Sequence, residues 1–394
     1  MLSDVEETVR YTYRLRPGAT AVAALTSEWH RCRWLWNEAV HQQRSGRQPT
    51  GAKLSVLLTE ARASSAWLRE GSVVAQQQTL RDYAQALAAS HKVKGRGRPV
   101  PKSRKKALPS LNYTRRGFSL KNERLCLPRG VTVPVVWSRE LPADPSSVRV
   151  YQDSLGHWYA SFVVRRPTGQ GPDADGQIGI DWGVKAVANT TDPAFDLPHP
   201  EYGKRAARAL AAAQRRMARR APEPGQKASS GYRKAKATAA KIHKKVARQR
   251  QDTARKWAKH VVDRHHVIAV EDFKPKFLAK TSMARKAADA AIGATKRELI
   301  DRGKRAGRKV VPVPPAYTTM TCANCHARAK QRLVLSERVF RCESCDHVAD
   351  RDRNAARVIL ASAGLNRAGA DGVRHVLGSF GVDAVLPEPG IPRL

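Results

Sequence analysis

Acidic side chains are scarce in this sequence. Only 34 Asp and Glu stand against 72 Lys and Arg, which leaves a net charge of +38 over 394 residues and a pI near 10.7. A folded protein carries such a surplus mainly when its partner is a polyanion, nucleic acid first among them. A membrane surface would also attract the charge, but no apolar run approaches the eighteen residues of a spanning helix. The opening MLSDVEETVRYTYR lacks the apolar core of a signal peptide, so a cytoplasmic location is predicted. Cysteine is limited to six residues, four of them in two close pairs, and without an export signal such pairs read as metal ligands rather than disulfides. Hydrophobic residues are not lacking: at 41% they exclude a disordered polycation, and the length suffices for two or more domains with real cores.

Residues 6–16 alternate as a strand does, and Pro17-Gly18 stops it. Beyond Val22, the spacing of Leu25, Trp29, Cys32, Trp36 and Val40 predicts a helix with one buried stripe, its tryptophans serving core packing before base stacking. Residues 52–92 continue as two or three helices with a break near Glu70-Gly71, and residues 92–106, KVKGRGRPVPKSRKK, read as a basic linker. From 107 to 168 short alternating runs predict a small barrel or sandwich that shares the N-terminal strand, with a hairpin turn at Asp153 to Gly156. Such a module serves equally as plain scaffold or as a nucleic-acid-binding barrel. Residues 204–264 hold 20 Lys and Arg against Glu223, Asp252 and Asp263, so about a sixth of the chain carries a surplus of 17. Like charges at helical spacing repel, and two helices broken around Pro222 to Gly225 are expected to present this charge to a phosphate backbone. The candidate contacts are Arg215, Arg216, Arg219, Arg220, Lys244, Lys245, Arg248 and Arg250.

Three acids stand apart from the rest. Asp181 ends the apolar run of QIGID, Glu271 ends VIAVE, and Asp352 lies in DRDRNAARVIL at helical spacing from Ala355, Ala356 and Ile359. Acids directly after buried strands are where an α/β fold exposes its site, and an acid aimed at a core needs a partner. A shared metal supplies one; three unrelated acids is the alternative that spacing alone leaves open. Carboxylates are hard ligands suited to Mg²⁺ or Mn²⁺, a pattern that points to a metal-dependent nuclease. Asp350 is expected to cap the following helix, and residues 282–306 read as one amphipathic helix followed by a strand in KVVPVP. Cys322-Ala-Asn-Cys325 and Cys342-Glu-Ser-Cys345 form two knuckles with the spacing of a structural zinc site, which leaves His326 and His347 as non-ligands.

These blocks, GIDWGVKAVA, VIAVEDF, PPAYTTMTCANC, LSERVFRCESC and DRDRNAA, resemble the TnpB family, insertion-sequence proteins with a RuvC-like nuclease domain interrupted by a zinc ribbon. The resemblance extends to CRWLWNEAV and to the basic helices, and it runs to about residue 362. It implies a multidomain α+β chain: an RNase H-like (RuvC) α/β nuclease domain at 169–320 and 347–364, an inserted four-cysteine zinc ribbon at 321–346, a β-barrel-like wedge domain at 1–17 and 107–168, a helical recognition domain with the basic linker at 18–106, and a flexible tail at 365–394. It also implies an RNA-guided DNA endonuclease that holds a guide RNA and target DNA, with Asp181, Glu271 and Asp352 as the acidic triad. Trp182, Met320 and His326 depart from the family pattern and bear on substrate handling. A small type V CRISPR effector, a nuclease-inactive RNA-guided regulator and a strand-joining transposase are the rival readings.

Overall fold

Alternation of Tyr11, Tyr13 and Leu15 with charged neighbours makes Glu6–Leu15 a strand, β1, whose odd-numbered side chains turn inward. In the computed structural model, which describes residues 6–47, 49–104, 106–167, 171–331 and 337–364, four helices follow. They are α1 (Ala19–Arg44), α2 (Gly51–Ser64), α3 (Ala66–Arg69) and α4 (Val73–Lys92). Strands β2 (Ser110–Thr114), β3 (Ser119–Lys121), β4 (Arg124–Leu127), β5 (Val131–Val136), β6 (Ser147–Gln152) and β7 (Trp158–Pro167) complete the N-terminal region. The chain divides into two compact units, Met1–Thr168 with Ala211–His243, and Gly169–Leu210 with Lys244–Leu394.

In the first unit the seven strands form one antiparallel sheet in the order β2-β6-β7-β1-β5-β4-β3. Among the described residues no pairing joins β2 to β3, so the sheet is open where a small barrel or sandwich was expected. Helix α1 is amphipathic on two sides. Leu25, Trp29 and Cys32 pack on the sheet with Tyr13 and Phe162, while Leu35 and Val40 meet α2 and α4 at Leu54, Leu58, Leu80 and Tyr83. The tryptophans are therefore core, as their spacing predicts: Trp29 is buried, and Trp36 sits edge-on to Tyr83 at 5.3 Å. The basic segment is more than a linker. Trp36 Nε1 donates to the Val100 carbonyl at 3.0 Å, and Lys102 Nζ lies 3.5 Å above the Trp36 ring.

The second unit is built on strands β8 (Gly176–Trp182), β9 (Ala186–Thr190) and β10 (Leu197–Pro198). Along the chain, helices α5 (Tyr202–Ala218) and α6 (Ser230–Arg264) come next, residues 211–243 of them and their connection belonging to the first unit; then follow β11 (His265–Glu271), α7 (Ala284–Ala290), α8 (Ile292–Arg305) and β12 (Lys309–Val313). The sheet order is β10-β9-β8-β11-β12. The first two pairings are antiparallel, and β11 runs parallel to both of its neighbours. A two-stranded ribbon, β13 (Val339–Arg341) with β14 (Val348–Asp350), leads into α9 (Arg351–Ser362). Residues 332–336 of the ribbon and the tail 365–394 lie outside the described residues.

One expectation is corrected: residues 282–306 are two helices, broken at Ala291, whose φ of +54° is left-handed. Ala290 and Ile292 both enter the same core. In a continuous helix they would point about 200° apart, so the break lets both be buried.

Candidate functional site

Strand pairing sets the carboxylates side by side. Ile180 is in register with Val270 on parallel strands β8 and β11, so Asp181 and Glu271 each lie one step beyond a matched pair. Both are buried, at 6% exposure, at the ends of apolar strands. Trp182 Nε1 donates to the Glu271 carbonyl at 3.2 Å and so ties the two strand ends together. Asn189 faces Asp181 across the antiparallel pairing with β9.

The third acid arrives on a helix. Asp350 ends β14 and caps α9, its Oδ1 accepting from the amides of Asp352 and Arg353, both at 3.0 Å. Gly179 of β8 lies directly against the Ala356 carbonyl of α9, and that close approach carries the first turn, with Asp352, to the strand ends. Asp352 is half-buried, and its Oδ2 accepts from Arg338 Nη1 at 3.4 Å.

Burial raises the proton affinity of Asp181 well above the usual carboxylate range; the charges of Glu271 and Asp352 push the same way, and Arg351 opposes them. Burial likewise pushes Glu271 up to about 7, against a hydrogen bond from the Trp182 backbone and the charge of Lys296. Lys296 also bonds Asp272 at 2.7 Å, so the second acid of VIAVEDF is held in an ion pair. Buried acids in one another's field gain from a shared cation, which offsets both desolvation and repulsion.

The thiols form a second group. The four sulfur atoms of Cys322, Cys325, Cys342 and Cys345 all lie within 4.8 Å of one another. Cys322 Sγ is 3.8 Å from Cys345 Sγ, and Cys325 Sγ is 3.5 Å from Cys342 Sγ. Zinc–sulfur bonds of about 2.3 Å at tetrahedral angles place sulfurs about 3.8 Å apart, so the set fits a zinc ion. The amides of Asn324 and Ser344 donate to Cys322 Sγ and Cys342 Sγ, each at 3.4 Å, as tight knuckle turns require. His326 and Asp346, which follow the second cysteine of each knuckle, take left-handed φ values of +59° and +55°.

The structure sorts the basic candidates. Arg215, Arg216, Arg219 and Arg220 are exposed on and just past α5, and Lys245 and Arg248 are exposed on α6, where Lys244 is half-buried. Arg250 differs. Its guanidinium pairs with the buried Asp289 at 2.7 Å, and Asp289 also accepts from the amides of Gly203 and Lys204 at the start of α5. Its charge is committed inside the protein.

Sequence reasoning passed over several residues of this region. Trp182, read only as a departure, is a buried core residue packed against Trp257. Arg353 reaches the Thr190 carbonyl and pairs with Asp196 at 2.8 Å, which pins α9 to the sheet. Asn354 is fully buried and bonds the first knuckle. For Arg353 and Asn354 the signal available was the density of polar residues in DRDRN at the start of an otherwise apolar helix.

An open antiparallel sheet with helices, and an α/β unit that carries a four-thiol ribbon, make up an α+β multidomain fold. The "Cryo-EM structure of the Cas12f1-sgRNA-target DNA complex" matches with a TM-score of 0.55 at 12% identity, over 90% of this chain and 98% of that one. Residues 161–281 match the OrfB_IS605 family, described as "Probable transposase", and residues 293–359 match the "Cas12f1-like, TNB domain". A curated relative from Streptomyces pristinaespiralis, "Putative RNA-guided DNA endonuclease", is 30% identical over 98% of both chains. "Putative RNA-guided DNA endonuclease InsQ" of Escherichia coli (strain K12) is 27% identical over 89% of this chain and 91% of that protein. The chain belongs to the TnpB family of OrfB-type insertion-sequence proteins.

Proposed function

We propose that this chain is a transposon-encoded RNA-guided DNA endonuclease whose RuvC-like site consists of Asp181, Glu271 and Asp352. The observation that carries the reading is the buried pair Asp181 and Glu271 on adjacent parallel strand ends, each with raised proton affinity. Such a pair costs stability unless a cation joins it. The order β10-β9-β8-β11-β12, with an acid-bearing helix packed on β8, supports the RNase H-like assignment. Full-length similarity to a protein named as an RNA-guided DNA endonuclease supports the guide RNA and the DNA target.

On this reading the three carboxylates hold Mg²⁺ or Mn²⁺, which when bound supplies Lewis-acid polarisation of the scissile phosphate and lowers the pKa of an attacking water. Glu271, whose carboxyl burial raises to about 7, would serve as a ligand in its ionised form. The exposed arginines of α5 hold the phosphodiester backbone, while sequence is read by pairing to the guide. The four thiolates hold a structural zinc and do no chemistry. We divide the chain as its family resemblance implies, with wedge, recognition, nuclease and ribbon segments; among the described residues no helix is long and apolar enough to cross a membrane.

The test is to purify the protein with its copurifying RNA, sequence that RNA, and supply a plasmid that matches its variable end. Cutting that needs Mg²⁺, the RNA and the match supports the proposal. Strand joining without RNA would replace it with a transposase.

A further inference from the structure

Asn354 is fully buried in the first turn of α9, and both ends of its amide are used on one short segment of the ribbon. Its Oδ1 accepts from the Ala323 amide at 2.9 Å, and its Nδ2 donates to the Thr321 carbonyl at 2.7 Å. Those two groups bracket Cys322, a fully buried member of the thiol set. Asp352 and Asn354 are two residues apart, so they project about 200° apart around the helix. One turn therefore carries on one side Asp352, whose charge acts on Asp181, and on the other the amide that holds the first knuckle.

Further bonds tie the second half of the ribbon to the same turn. The Arg351 amide donates to the Arg338 carbonyl at 2.8 Å, and Arg351 Nη1 donates to the Glu337 carbonyl at 3.3 Å. Val339 is in register with Asp350, the residue that caps α9. Arg338 completes the link through its contact with Asp352. Among its described residues the ribbon has one short strand pair and one isolated bridge; a small unit of this kind depends on its metal for its fold, and the turn that carries Asp352 is fastened to it beside both knuckles.

We infer that Asn354 is a positioning residue that couples the thiolate site to the carboxylate site, so that a folded, zinc-loaded ribbon sets the place of Asp352 and raises the affinity of the acids for a divalent cation. This rests on the endonuclease reading. It adds to that reading a dependence of one metal site on the other, through a side chain that touches neither metal.

The experiment uses the full chain and Mn²⁺ as the probe. Zinc content is measured by elemental analysis, Mn²⁺ binding by electron paramagnetic resonance, and folding by thermal melting. Wild type should bind Mn²⁺ at a site that D181N removes. Zinc-loaded, folded N354A should keep its zinc and bind Mn²⁺ about 2- to 30-fold more weakly, the range for a substitution that weakens coupling between two sites without contacting either ligand. N354D keeps the acceptor for Ala323 and loses the donor to Thr321; it should show a smaller loss in the same direction, and it carries the test if N354A does not fold. Unchanged Mn²⁺ affinity in either zinc-loaded variant overturns the coupling and leaves the endonuclease reading standing. Absence of any D181N-sensitive Mn²⁺ site in wild type contradicts the endonuclease reading instead.

Discussion

Gly179 of β8 lies against the backbone carbonyl of Ala356 in α9 so closely that any Cβ at position 179 would overlap it. Backbone cannot step aside as a side chain can, so Gly179→Ala must lift the helix from the sheet. Overpacking of this kind costs about 1–3 kcal/mol. The larger effect is expected on function, because the displaced helix carries Asp352. We expect a folded variant with a lowered melting temperature and at least a tenfold loss of cleavage. Full activity in Gly179→Ala would mean that α9 does not fix the third acid.

The buried acids make the metal-free protein less stable than it need be. The folded-state pKa of Glu271 is raised from 4.5 to about 7, so the native state binds this proton more tightly than the unfolded chain does. Stability from this group is therefore present below pH 4.5, falls as the pH climbs towards 7, and is flat above. Glu271→Gln should stabilise the metal-free protein at pH 8, on the order of a few kcal/mol by the size of the Glu271 shift, and flatten that pH dependence; Asp181→Asn should act in the same direction. Melting curves with EDTA between pH 5 and 8 measure this. Destabilisation by both amides would show that the carboxylates are structural.

The left-handed residues of the knuckles yield a second gain. His326 and Asp346 hold positive φ without being glycine, at a cost of about 1 kcal/mol each. His326→Gly and Asp346→Gly should therefore hold zinc against a competing chelator at higher concentration, whereas Cys322→Ser should release it. A lower chelator midpoint for both glycine variants contradicts the geometry.

The basic residues divide into two groups with opposite readouts. Replacing exposed Arg215, Arg216, Arg219 and Arg220 together should flatten the dependence of log affinity for RNA on log salt by about 3 units, at roughly 0.7 per lost phosphate contact. Arg250→Ala should leave that slope nearly unchanged and lower the melting temperature, because it abandons the buried Asp289. An unchanged slope for the fourfold variant would make those arginines a solvated face.

Much of this site was legible because strands announce themselves at their ends. Asp181 and Glu271 each close an apolar run, and parallel pairing then fixes them as neighbours. The four cysteines were legible for a related reason, since tight turns bring Cys-x-x-Cys pairs together whatever the rest of the fold does. The ion pair of Arg250 was not legible because its partner Asp289 is 39 positions away, and no local spacing reports that pairing. The break at Ala291 was hidden likewise, because an alanine gives no warning of a left-handed φ that core burial on both sides imposes. Asn354 looked like part of a polar helix start, and only the folded ribbon reveals what its amide holds.

The claim that Asp181, Glu271 and Asp352 form a metal-dependent nuclease site is tested most directly by cleavage with Asp181→Ala bound to its copurified RNA. Wild type and variant should retain equal amounts of RNA and bind a guide-matched plasmid alike, since Asp181 is buried whereas the basic candidates Arg215, Arg216, Arg219 and Arg220 are exposed. With Mg²⁺ the wild type should linearise the plasmid, and the variant should leave it supercoiled over the same time. Linear product from Asp181→Ala at the wild-type rate would contradict the assignment.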